Sequence, residues 1–272
     1  MSGGRIVITG ATSGLGRELA AQYAAELGEG AHLGLVGRRA ERLAEVAAAC
    51  RAAGATVRTY AHDVADGPAM AALAEDFLAA AGGVDLVIAN AGIGTPDRLS
   101  SGDPAPLATL LQVNVIGVVN TVVPFAPALK RQGSGQVVVI ASIAGYRPYP
   151  GHATYSASKK AVQVLMDGFA YDLNRWGVAV TTINPGFVVS ELTADNRFPM
   201  PFLLQTDEAV RRMRRAIRRR RRVYTFPLPT RLLGWSTTLL PRFAVQALLG
   251  RHRGRRRPPA DGSPAQGAPR GG

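Results

Sequence analysis

Residues 5–27 read RIVIT, GATSGLG and RELAAQYAAEL in succession: a short apolar, β-branched run, a glycine-rich turn and a helical stretch. Such a run suits a buried strand. Gly10, Gly14 and Gly16 permit tight turning and let backbone N–H groups approach a phosphate closely, at the positive end of the following helix. The spacing is GxxxGxG, a departure from the commoner GxGxxG dinucleotide fingerprint. A plain tight loop would use the same residues. The place of the turn, between a first strand and a first helix, is what favours phosphate binding.

The rest of the chain continues this alternation. Apolar runs at 5–9, 31–36, 84–89, 136–141 and 178–184 are short and nearly continuous, as in parallel strands covered on both faces. Alanine-rich helical patterns lie between them at 14–27, 40–53, 66–81, 106–130 and 152–176. Strand alternating with helix predicts an α/β fold, a single Rossmann-type doubly wound parallel sheet of about seven strands with helices on both faces. At 272 residues the chain fits one such domain with a large core. No internal repeat at a solenoid period is found. No eighteen-residue uncharged apolar run stands out, so no membrane-spanning helix is expected. MSGGRIVITG reaches the first strand within five residues, which leaves no room for a signal peptide. Cys50 is the only cysteine, so no intrachain disulfide can form and a reducing, cytoplasmic compartment suits the chain.

Charge divides the chain. Residues 211–272 hold seventeen arginines and one acid, Asp261. The whole chain carries +13, so residues 1–210 hold a net −3. The basicity is a C-terminal addition to a mildly acidic body. Three regions are expected: 1–226 as the nucleotide-binding and catalytic domain, 227–250 as an amphipathic extension, and 251–272 as a disordered basic Pro/Gly-rich tail. Within LPTRLLGWSTTLLPRFAVQALL (228–249), Leu228, Leu232, Trp235, Leu239, Phe243 and Leu248 recur at roughly helical steps, and Pro241 would divide them into two short helices. Arg231 and Arg242 exclude a plain span. The segment reads either as a peripheral membrane contact or as packing on the core or on another subunit. RRMRRAIRRRRR (211–222) lacks interleaved aromatics and any reading module, so it supports no specific nucleic-acid binding.

The chemistry is carried by a spacing. Tyr155 and Lys159 stand four residues apart in HATYSASKKAVQVL, with Ser142 thirteen residues upstream of Tyr155 in VVVIASIAG. On a helix, i and i+4 share a face, so an ammonium lies beside a phenol. A free tyrosine titrates at roughly pH 10. A neighbouring positive charge favours the phenolate and brings the group within reach of acid/base work. A surface helix pair would show the same four-residue spacing.

The second apolar run leads into the cofactor question. AHLGLVGRRAERL (31–43) offers Gly37, Arg38 and Arg39, with no carboxylate at the strand end. An acid there would take the adenine ribose hydroxyls and repel a 2′-phosphate, whereas guanidinium groups bind phosphate with bidentate geometry. NADP(H) is therefore expected over NAD(H), with Arg38 the stronger contact, Arg39 beside it and Ser13 as a helper. Solvating the start of a helix is the duller role for the arginines.

Together these residues resemble the short-chain dehydrogenase/reductase family, in its NADP-preferring YxxxK branch. TGATSGLG at 9–16, HDV at 62–64, NAG at 90–92, Asn114, Ser142, YSASK at 155–159 and NPG at 184–186 occur in that family's order and close to its spacing, over roughly residues 4–226. The resemblance implies that Gly10, Thr12, Ser13, Gly14, Leu15 and Gly16 wrap the cofactor phosphates. Asp63 would accept from the adenine amino group, with Val64 beside it, and Asn90, Ala91 and Gly92 would line the adenosine-ribose side. Pro185, Gly186, Val188 and Ser190 would follow toward the nicotinamide and pyrophosphate. Ser142 and Tyr155 would donate to a substrate oxygen, Lys159 would serve both Tyr155 and the nicotinamide ribose, and Asn114 would hold a relay water. No metal is assigned. The implied activity is hydride transfer between NADP(H) and a small carbonyl or alcohol, in a homodimer or homotetramer. A non-catalytic NADP(H) sensor is the alternative on the same fold. Residues 192–205, with Phe198, Met200, Phe202, Leu203 and Leu204, read as an apolar lid over an apolar or lipid-like substrate, or as packing on the body. Tyr149 and His152 flank the site.

Overall fold

The structure, a computed structural model, describes residues 4–148, 151–194 and 200–229. Tyr149, Phe198, the extension from residue 230 onward and the 251–272 tail lie outside the described residues.

Among the described residues seven strands build one sheet: β1 Gly4–Thr9, β2 Ala31–Val36, β3 Thr56–Tyr60, β4 Leu86–Ala89, β5 Gln136–Ile140, β6 Ala179–Pro185 and β7 Val223–Phe226. Their order is β3-β2-β1-β4-β5-β6-β7, and every neighbouring pair is parallel. Parallel neighbours need crossovers, and helices supply them: α1 Gly14–Leu27, α2 Ala40–Ala52, α3 Gly67–Ala81, α4 Ala105–Leu111, α5 Gly117–Val122, α6 Ala126–Gln132, α7 Ala153–Arg175, a short α8 Glu191–Ala194 and α9 Thr206–Arg218. The sheet therefore has a core on each face. One joins Ile6, Ile8 and Leu33 to Leu19, Leu43 and Met213 of α1, α2 and α9. The other joins Val7, Val87 and Val137 to Phe77, Phe125 and Met166 of α3, the 105–132 stretch and α7. This is the doubly wound fold that the alternation predicts.

The helical stretch expected at 106–130 runs over 105–132 and is not one regular helix. A π-helical turn, Gln112–Ile116, interrupts it, and a 3-10 turn, Val123–Phe125, follows. Pro124 lacks the N–H that a regular ladder would use. By length and composition alone this stretch passes as long and apolar enough to span a membrane, with a mean hydropathy of 1.6, which corrects the expectation that no such run exists. Val118, Val122, Phe125 and Leu129 nonetheless turn into the second core.

The basic run at 211–222 also has more order than its composition suggests. Its first part belongs to α9, whose Ala209, Val210, Met213, Ala216 and Ile217 are buried. Arg211 and Arg212 pair back to Asp207 and Glu208, and Arg214 pairs with Glu26 of α1. These three of the run's nine arginines are thus paired locally at a helix surface.

Strand order reverses between β1 and β4, so their crossovers leave on opposite faces and open a crevice at the carboxyl ends. The glycine turn follows β1, and Asn90-Ala91-Gly92 follows β4. The topology places both motifs at that crevice.

Candidate active site

The glycine turn has no room for a side chain at Gly10 or Gly16. Gly10 has φ +67°, and a Cβ there would lie 2.9 Å from Ala91 Cα; one on Gly16 would lie 2.2 Å from the Gly10 carbonyl oxygen. Ser13 is the N-cap of α1 in extended geometry, makes no capping hydrogen bond through its side chain, and no acid stands in the first turn. First-turn amides need acceptors and carry partial positive charge. An anion fits there. Leu15 turns toward the core, and Ser190 faces the turn from the far side, its Cβ 3.3 Å from where a Gly14 Cβ would stand.

Asn90 locks this turn to β4. Its Nδ2 donates to the Thr9 carbonyl at 2.9 Å, and the Asn90 and Ala91 amides donate to Thr9 Oγ1, each at 3.1 Å. Beyond β2, Arg38 faces Asp63 at 3.5 Å, while Arg39 Nη2 donates to Thr12 Oγ1 at 3.2 Å. Arg39 rather than Arg38 is the arginine that reaches the glycine turn. Asp63 also accepts from the Ala65 amide at 3.0 Å, and Asp66 caps α3 through the Ala69 amide. Val64 is buried, and its carbonyl accepts from Asn120 at 2.9 Å.

Ser142 and the Tyr155 helix are stitched together at two points. Lys159 Nζ donates to the Ile140 carbonyl at 3.0 Å, two residues before Ser142. One helical turn on, Gln163 Nε2 donates to the Ser142 carbonyl at 3.1 Å. Gly145 makes the approach close, since a Cβ there would stand 2.6 Å from Gln163 Nε2. Ser142 Oγ accepts from the Ala144 amide at 3.1 Å, which leaves its hydroxyl proton to donate elsewhere. Lys159 Nζ lies 5.7 Å from the centre of the Tyr155 ring. Burial lowers the Lys159 pKa to about 8.

Asn114, in the π turn, is 1% exposed. Its Oδ1 accepts from the Ile93 amide at 2.8 Å, and its Nδ2 donates to the Ile93 carbonyl and to Ser158 Oγ. Ser158 donates in turn to the Tyr155 carbonyl at 2.7 Å. A Cβ on Gly92 would meet both Asn114 Oδ1 and Lys159 Nζ at 3.3 Å. Asn114, Gly92, Lys159 and Tyr155 are therefore one packed group.

Asn184 and Pro185 end β6, and the Gly186 amide donates to the Phe226 carbonyl at 2.7 Å. The Val188 carbonyl is taken by the Thr193 hydroxyl at 2.8 Å. Of the apolar 192–205 stretch, Leu204 folds back onto Phe187 and Val189 through backbone bonds, whereas Phe202 and Leu203 are exposed. His152 is the N-cap residue of α7 without a side-chain cap. Asp97 does the capping from the loop after β4, accepting from the Ala153 amide and, at 3.3 Å, from the Thr154 amide. Sequence reading alone misses Asp97, Ser158, Gln163 and Glu191. Ser158 and Gln163 leave a local sign, the one inside YSASK and the other the polar residue at i+4 after Lys159.

The fold and these residues define an oxidoreductase built to hold a nicotinamide dinucleotide. Residues 5–199 match the short chain dehydrogenase family, and the chain belongs to it. It is 39% identical over 230 residues to an uncharacterized oxidoreductase of Myxococcus xanthus, covering 83% of this chain and 90% of that protein. An alcohol dehydrogenase from Thermococcus sibiricus, solved with 5-hydroxy-NADP, superposes with a TM-score of 0.72 at 27% identity, over 81% of this chain and 94% of that one. A short chain dehydrogenase from Mycobacterium paratuberculosis bound to NAD gives a TM-score of 0.70 at 26% identity, over 78% and 90%.

Proposed function

We propose that this protein is an NADP(H)-dependent carbonyl reductase or alcohol dehydrogenase acting on a small, apolar or lipid-like substrate. The observation that carries the reading is the double stitching of α7 to the Ser142 turn, which sets a phenol, an ammonium and a hydroxyl at one strand end. When bound, the nicotinamide supplies or accepts the hydride at the substrate carbon. Ser142 and Tyr155 donate to the substrate oxygen, and Tyr155 passes it a proton as charge develops there. The Lys159 charge beside the ring stabilises the oxygen that Tyr155 leaves behind and offers N–H donors to the ribose. Asn114 fixes the Gly92 loop against Lys159 and belongs to the proton route.

NADP(H) is favoured by Arg38 and Arg39 and by the lack of an acid closing β2. Exposed Phe202 and Leu203 near Val188 favour an apolar substrate. Outward Leu111, Ile116 and Val123, with Val164 and Tyr171 on neighbouring α7, support a homodimer or homotetramer. A cytoplasmic location with peripheral membrane contact through 228–249 belongs to the same reading.

The test is Tyr155→Phe, assayed by NADPH oxidation against carbonyls graded by chain length. Turnover is expected to fall by about 100-fold or more, while NADPH binding, measured by calorimetry, stays within about twofold because the ring and its packing remain. Near-normal turnover would remove Tyr155 from the chemistry.

A further inference from the structure

Glu191 opens α8, and its carboxylate reaches two guanidinium groups at the start of α2. Arg39 Nη2 donates to Oε2 at 3.1 Å, and Arg42 Nη1 donates to Oε1. The same Arg39 Nη2 donates to Thr12 Oγ1 of the glycine turn at 3.2 Å. Three separate parts of the chain thus meet in one cluster: the turn after β1, the helix after β2 and the segment after β6. Ser190, the preceding residue, is the one that faces Gly14. Glu191 therefore lies across the mouth of the phosphate-binding turn.

The pairing is not needed to shape this segment. Thr193 does that work: its hydroxyl donates to the Val188 carbonyl at 2.8 Å and accepts from the Ser190 amide at 3.0 Å. The side chains of Arg39, Arg42 and Glu191 are 42%, 48% and 55% exposed. Pairs so open to solvent contribute little to stability. The arginines nonetheless hold the Glu191 carboxyl below its ordinary pKa, so it is an anion at neutral pH.

A carboxylate and a phosphate monoester offer a guanidinium the same thing, anionic oxygens spaced for its fork of N–H donors. One Arg39 fork cannot serve both fully. We propose that Glu191 is an internal competitor for the 2′-phosphate of NADP(H), occupying Arg39 and Arg42 until the phosphate displaces it, and so sets how strongly the enzyme prefers NADP(H) over NAD(H). This rests on the NADP(H) reading above. A ligand without a 2′-phosphate leaves the Glu191 pairs undisturbed and binds independently of them.

Glu191→Gln removes the charge and keeps the shape. Full-length protein would be titrated calorimetrically with 2′,5′-ADP and with 5′-AMP, which differ only in the 2′-phosphate. Wild type should bind 2′,5′-ADP more tightly than 5′-AMP. The variant should bind 2′,5′-ADP about two- to fivefold more tightly than wild type, the scale of an exposed ion pair, with 5′-AMP unchanged. The gain should shrink at about 1 M salt and vanish in an Arg39→Ala background, where no fork remains to compete for. Glu191→Ala should reproduce it. If wild type prefers 2′,5′-ADP but neither Glu191 variant tightens it, the competitor role is overturned and the cofactor reading stands. If wild type binds the two ligands equally, the cofactor reading fails and this inference fails with it.

Discussion

Lys159 shows how function and stability oppose one another in a single side chain. The residue is 6% exposed, and burial brings its pKa from 10.5 down to about 8. The unfolded lysine therefore holds its proton over a range where the folded one does not, from about pH 8 to 10.5. Stability rises with pH across that window, because the unfolded state binds more protons. Below it both states are charged and the destabilisation is constant. Lys159→Met should accordingly resist urea better than wild type at pH 7, lose that advantage by pH 10, and be inactive at both. A variant less stable at pH 7 would show that the bond to the Ile140 carbonyl outweighs desolvation. Tyr155, Lys159 and Ser142 are legible in the sequence because a short spacing brings them together. Asp97 and Glu191 are not, because their partners lie 56 and about 150 residues away.

Among the elements, α7 is the one whose placement matters most, and its first turn is held from outside. An N-cap ordinarily comes from the residue before the helix. Here His152 makes no side-chain cap, and Asp97 supplies the acceptor, while its own amide donates to the Gly151 carbonyl at 2.7 Å. Asp97→Ala should cost about 1 kcal/mol in chemical unfolding and lower kcat, since Tyr155 sits in that turn. Binding of 2′,5′-ADP, proposed at Arg39 and the glycine turn, should be unchanged, and Asp97→Asn should restore part of kcat. Equal losses in kcat and ligand binding would mean general loosening instead. The elements that the apolar pattern does not mark are β3 and β7, and both are edge strands. An edge strand faces solvent along one side, so TVRTY has three exposed residues and VYTF begins exposed. Continuous apolar runs mark the strands buried on both faces. The π turn at Asn114 is illegible for a different reason: it answers to Ile93 and Ser158, neither of them within its own helix.

For the whole molecule, the fold was readable, and what was not is the helix that carries the start of the basic run. The run RRMRRAIRRRRR invites a polyanion reading, yet α9 sets Arg211, Arg212 and Arg214 against Asp207, Glu208 and Glu26 and turns an apolar face to α1. The last described core residue is Phe226, and Leu228 is 58% exposed. If 228–249 is the peripheral membrane contact proposed above, a chain ending at Pro229 should melt within a few degrees of full length in scanning calorimetry and still bind 2′,5′-ADP. Aggregation of the shortened chain would assign the extension to the core or to a subunit contact.

The strand order also has a consequence during synthesis. β1 is made first but lies in the interior of the sheet, with β2 on one side and β4 on the other. A nascent chain that has completed β1, β2 and β3 is a half-sheet whose inner edge, Ile6-Val7-Ile8, has no partner until Leu86–Ala89 leave the ribosome. At about 5–20 residues per second, that wait lasts on the order of several seconds. An apolar strand edge left open for so long is a template for the wrong neighbour. The ribosome-bound half is thus the stage at which this protein should lean most on chaperones, before Ser142, Tyr155 and Lys159 have been translated.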